Sequence, residues 1–112
     1  MDEYQRLQKI YRSVEGKLPF RPAVALTLGS GLGDYADDIE IASVLDYHDI
    51  PGFPVSTVPG HKGRFVFGRI NGVAVVVMQG RVHYYEGYAI RDVVLPARLM
   101  GMMGAKVLFL TN

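Results

Sequence analysis

Apolar residues recur at helical spacing near the start of the chain. Tyr4, Leu7, Ile10, Tyr11 and Val14 fall on one face of residues 2–15, which predicts an amphipathic helix with Asp2 near its start. Prolines 19 and 22 then mark a connector, and Ala23 to Leu28 reads as a short apolar strand bounded by glycine, buried on both faces inside a sheet. Residues Ile39 to Leu45 form a second β-prone stretch. The proline- and glycine-rich run from Ile50 to Gly63 is expected to be mostly loop, and ordered loops of that length are often functional.

The sharpest local signal comes next. Two β-branched and aromatic runs, Arg64 to Ile70 and Val73 to Met78, flank Asn71-Gly72, which predicts a hairpin with a two-residue type I′ turn. Val93, Val94, Ala97 and Met100 give residues 90–103 a helical pattern, with Pro96 marking a kink or a late start. Ala105 to Thr111 is a further strand of the buried type, and Asn112 is the last residue. Strands mixed with helices in this way predict an α/β sheet, whose ligands gather beyond the carboxyl ends of the strands. Because an apolar central strand at the end of a chain lacks its covering helix, the expectation is a truncated chain. The alternative is a complete small fold with a terminal edge strand.

Composition narrows the function classes. A chain of 112 residues has the size of one domain. Its 12 Lys and Arg against 11 Asp and Glu give a formal charge of +1 with no long block of either sign, so neither a nucleic-acid footprint nor an acidic tail is indicated. The absence of cysteine excludes a disulfide scaffold and thiolate metal sites. The charged N-terminus lacks a secretory pattern, and no apolar run approaches the ~20 residues that cross a bilayer. The expectation is a soluble cytoplasmic protein without a membrane partner.

Candidate chemistry is concentrated in three glycine-framed segments. Gly80 to Gly87 brings together Arg81, His83, Tyr84, Tyr85 and Glu86, with Tyr88 following. The guanidinium of Arg81 is a planar fork suited to phosphate or carboxylate, and His83 can direct a second donor at the same anion. Glu86 can hold the imidazole in one tautomer or charge state. Gly29-Ser30-Gly31-Leu32-Gly33 follows the first predicted strand, where backbone amides and the Ser30 hydroxyl can approach an anion. Its spacing is not that of the dinucleotide fingerprint, and the hairpin replaces the crossover such a module needs. Pro59-Gly60-His61-Lys62-Gly63 supplies His61 as a third anion contact or proton shuttle. His48 has no such frame and reads as structural or solvated. None of the three histidines has close metal-ligand spacing, so no metal site is expected.

These three segments, in this order and with the elements around them, resemble the trimeric purine nucleoside phosphorylase family. The resemblance runs from Ala23 onward, and the pattern His-x-Tyr-Glu-Gly-Tyr, here residues 83–88, is its most specific part. Relatives that cleave methylthioadenosine share the fold and the Arg and His phosphate contacts but usually lack Tyr-Glu-Gly-Tyr, so the purine nucleoside branch matches better. The resemblance implies that residues 1–112 are the N-terminal, phosphate-binding part of a single catalytic domain, a mixed β-sheet flanked by helices and truncated after a central strand.

It further implies that Ser30, Arg81 and His83 bind phosphate, that His61 lies beside phosphate and ribose, and that Tyr85 contacts the sugar. Glu86 supports His83 and orients phosphate, making His83 and Glu86 the catalytic pair. Phosphate and a purine nucleoside are the implied substrates, with no cofactor and a homotrimeric full-length form. Asn112 matches the residue before the family's Ala-Ala-Gly-Gly segment; the family's purine-binding residues follow that point. A rival expectation is an anion-binding structural fragment without turnover.

Overall fold

The computed structural model describes residues 2–27, 39–53, 63–80 and 90–110. The first helix, α1 (Glu3–Val14), begins where its sequence can satisfy the free amides of its first turn. The carboxylate of Asp2 accepts from the Gln5 amide at 2.8 Å, and the Gln5 side chain accepts from the Asp2 amide at 3.1 Å, a reciprocal capping box. Ile10 and Val14 are buried on its inner face, with Leu7 and Tyr11 packed beside them, as the spacing predicts.

Among the described residues five strands form one sheet: β1 (Val24–Thr27), β2 (Glu40–Asp46), β3 (Arg64–Ile70), β4 (Val73–Gln79) and β5 (Val107–Leu110), in the order β2-β3-β4-β1-β5. The hairpin between β3 and β4 is the one expected from Asn71-Gly72. Both turn residues have positive φ, 51° and 82°, as a type I′ turn requires. A register shift between Ile41 and Ser43 interrupts the otherwise regular antiparallel pairing of β2 with β3. The second helix, α2 (Ile90–Met103), passes through Pro96 without a late start. Gly104 ends it, and the Lys106 amide then donates to the Ala23 carbonyl at 3.0 Å, bringing β5 alongside β1.

The sheet carries apolar residues on both faces. One face packs Phe65, Phe67, Val76 and Met78 against Ile10 and Val14 of α1 and Leu95, Leu99, Met100 and Met103 of α2. On the other, Val66, Val75 and Val77 cluster with Val24, Leu26, Ile39 and Ile70. This double burial explains why β3 and β4 read as nearly continuous apolar runs rather than alternating ones.

One strand combines an apolar sequence with exposed side chains. The β5 sequence is of the buried type, yet among the described residues β5 lies at the end of the strand order, and Val107, Leu108 and Phe109 are 48%, 42% and 55% exposed. Periodicity reports how apolar a strand is; its place in the sheet comes from pairing partners distant in sequence.

Candidate active site

Strand direction determines which ends of the sheet can share chemistry. β1 runs parallel to β4 and to β5, whereas β3 is antiparallel to both β4 and β2. The carboxyl ends of β1, β2, β4 and β5 therefore meet the amino end of β3 at one end of the sheet. The register is explicit there: Thr27 is opposite Met78 on one side and Leu110 on the other, and Arg64 is opposite both Gln79 and Asp46.

All three glycine-framed segments attach to this end. The segment with Ser30 leaves from Thr27, the segment with His61 enters β3 through Gly63, and the segment with Arg81 leaves from Gly80. β5 also ends there, at Leu110, two positions before Asn112 in the sequence. Ser30, His61, Arg81, His83, Tyr85, Glu86 and Asn112 themselves lie outside the described residues. His48 is described, and it is exposed on the short 3₁₀ turn Tyr47–Asp49.

The described end of the sheet contains buried polar groups among aliphatic and aromatic ones. Thr27 is 4% exposed and Gln79 1%. Gln79 accepts from the Arg64 guanidinium Nε at 2.5 Å through its side-chain oxygen, Oε1, so the terminal pair of the β3–β4 ladder is joined through side chains as well as main chain. Gly80 has φ of 86°, a backbone conformation that strains any residue with a Cβ, and it turns the chain immediately before Arg81.

Tyr47 is the residue that sequence reasoning passed over. It directly follows β2, and Leu45 and Tyr47, two positions apart, are both buried. That continued alternation was the available signal for an inward ring. The ring lies 4.9 Å from Phe53 and 5.1 Å from Phe65, centroid to centroid. Its hydroxyl donates to the Gly80 carbonyl at 2.6 Å, and its amide donates to the Gly63 carbonyl at 2.9 Å. Burial pushes the phenol well above its ordinary value, so it remains a protonated donor throughout the neutral range.

Among the described residues no group of three His, Cys, Asp or Glu side chains is placed to hold a metal ion, and no helix is long and apolar enough to cross a membrane.

Comparison with known proteins places this architecture. The family model of the phosphorylase superfamily matches residues 23–112. The chain belongs to the phosphorylase superfamily. Purine nucleoside phosphorylase 1 of Geobacillus stearothermophilus is 49% identical over 106 residues, covering 95% of this chain and 39% of that protein. The purine nucleoside phosphorylase of Bos taurus is 51% identical over 92 residues, 82% of this chain and 32% of that one.

Solved structures agree with the superfamily fold. The Schistosoma mansoni purine nucleoside phosphorylase in complex with acetate superposes with a TM-score of 0.88 at 39% identity, covering 96% of this chain and 40% of that chain. A purine nucleoside phosphorylase in complex with ribose-1-phosphate gives 0.88 at 40% identity, again covering 96% of this chain and 40% of that chain. The chain thus spans about two fifths of the length of these two structures.

Proposed function

We propose that this chain is the phosphate-binding part of the catalytic domain of a purine nucleoside phosphorylase, which cleaves the N-glycosidic bond of purine nucleosides with inorganic phosphate. The observation that carries the proposal is the gathering of two strand ends, those of β1 and β4, and one strand start, that of β3, each joined to a glycine-framed segment with candidate anion-binding residues, at one end of a single sheet. The names of the relatives support the purine branch, as does Tyr-Glu-Gly-Tyr at residues 85–88.

The chemistry asks little beyond positioning. A phosphate oxygen bonds to C1′ of the sugar while the C1′–N9 bond breaks, its electron pair leaving with the purine. The sugar passes through an oxocarbenium-like state, as in glycoside hydrolysis. Phosphate is already a competent nucleophile, so the protein has to hold it beneath the sugar and leave its charge free to stabilise the developing cation. In this reading Ser30, Arg81 and His83 bind phosphate, His61 stands beside phosphate and sugar, Tyr85 contacts the sugar, and Glu86 supports His83 and orients phosphate. Phosphate is a substrate, and neither metal nor organic cofactor takes part. Residues 1–112 belong to one catalytic domain, and the full-length enzyme is a cytoplasmic homotrimer.

The test is release of hypoxanthine from inosine by the full-length protein, with and without phosphate, before and after Arg81→Ala. The proposal expects release that depends on phosphate and is abolished in the variant. Release independent of phosphate, or a variant with unchanged rate and unchanged KM for phosphate, would defeat it.

A further inference from the structure

Two of the three proposed anion-binding segments are joined by one residue that lies in neither of them. Tyr47 reaches Gly80, 33 positions away in sequence, through its hydroxyl at 2.6 Å, and its own amide holds the Gly63 carbonyl at 2.9 Å. The ring also lies close enough to Gly63 that a Cβ built there would stand 3.1 Å from the ring atom Cδ2. Gly63 closes the segment that carries His61, and Gly80 opens the one that carries Arg81 and His83.

We infer that Tyr47 is a positioning residue for the phosphate site, a buckle that fixes the start of the Arg81–His83 segment relative to the end of the His61 segment. The inference rests on the phosphorylase reading above. Three features make the buckle stiff. The ring is wedged between Phe53 and Phe65, so the hydroxyl has little freedom to move. Gly80 lies in a backbone region where its carbonyl direction is tied to a left-handed turn, φ 86°, and the hydroxyl bonds that carbonyl. The third feature is the adjacent Arg64–Gln79 pair, which ties the same two strand ends and keeps β3 and β4 in register beneath the buckle.

Anion sites are sensitive to small displacements, because each charge-assisted bond requires distance and angle together. Arg81 is bonded directly to Gly80, so a shift of that carbonyl is transmitted to the first proposed phosphate contact. Tyr47 touches neither phosphate nor sugar in this account; it acts through Gly80 and Gly63.

The test is Tyr47→Phe in the full-length protein, which removes one oxygen and keeps the ring packing. Steady-state rates are measured with phosphate varied at saturating inosine, then with inosine varied at saturating phosphate. Melting temperature is recorded alongside. Leu99→Ala is the control, since it opens a cavity in the helix–sheet core and leaves the hydroxyl and its Phe53 and Phe65 neighbours in place. The expected result for Tyr47→Phe is an increase of about tenfold in KM for phosphate with KM for inosine nearly unchanged. For Leu99→Ala the expected result is a lower melting temperature with KM for phosphate unchanged. If Tyr47→Phe leaves KM for phosphate at the wild-type value, or if both variants raise it in proportion to lost stability, Tyr47 is a packing residue and the inference is overturned alone. A wild-type protein without phosphate-dependent cleavage overturns the phosphorylase reading and the inference with it.

Discussion

Arg64 and Gln79 face each other across the last pair of the β3–β4 ladder, with the guanidinium Nε donating to the Gln79 side-chain oxygen at 2.5 Å. Gln79 is almost wholly buried, so this bond occupies an acceptor that water does not reach. Gln79→Leu removes the acceptor and leaves the half-buried Arg64 fork without it. The expected loss of stability is about 1–3 kcal/mol. Urea denaturation of Gln79→Leu, Arg64→Met and the double variant checks this, because the double variant should cost less than the sum of the single ones.

Leu99 is fully buried between α2 and the sheet, in the cluster that also contains Phe65, Phe67 and Val76. Leu99→Ala removes packed atoms and leaves a cavity, with an expected cost of about 2–5 kcal/mol. A shift in the denaturation midpoint at constant slope is the measurement. Little or no shift would mean that α2 does not hold this face of the sheet.

The capping box at α1 gives a smaller, local effect. Asp2→Ala removes the acceptor for the Gln5 amide, and the expected loss is about 0.5–2 kcal/mol. Amide exchange should accelerate in residues 3–6 and not in the β3–β4 hairpin.

Tyr47 gives the stability a defined alkaline dependence. Its phenol is held above its ordinary value by burial, so the folded state retains a proton that the unfolded chain releases near pH 10. Its contribution is fully present below about pH 10 and is lost as pH rises above that value toward the folded pKa. Comparing wild type with Tyr47→Phe cancels the other tyrosines. The wild-type advantage should be constant from neutral pH to about 9 and shrink above 10; a gap that stays constant to pH 11 would contradict the burial argument.

Local chemistry was largely legible in the sequence. Asp2 and the spacing from Tyr4 to Val14 specified α1, and Asn71-Gly72 specified the hairpin, because a cap and a two-residue turn are decided by residues within reach of one another. Strand order was not legible. Thr27 opposite both Met78 and Leu110 is a relation between residues far apart in the chain, and no periodicity encodes it. The same holds for Tyr47, whose role comes from Gly63 and Gly80 and not from its neighbours Asp46 and His48. The exposed faces of Val107 and Phe109 show the limit from the other direction: an apolar strand sequence states a preference for burial without naming what supplies it. For the candidate site, the motifs named the residues, and the strand directions show that their segments attach to one end of the sheet.

The fate of the phosphate tests the central claim most directly. With full-length protein, inosine and inorganic phosphate, phosphorus NMR should show the inorganic phosphate signal replaced by a sugar 1-phosphate signal, in step with hypoxanthine release. Hypoxanthine appearing with free ribose while inorganic phosphate stays constant, or no hypoxanthine at all, would contradict the account.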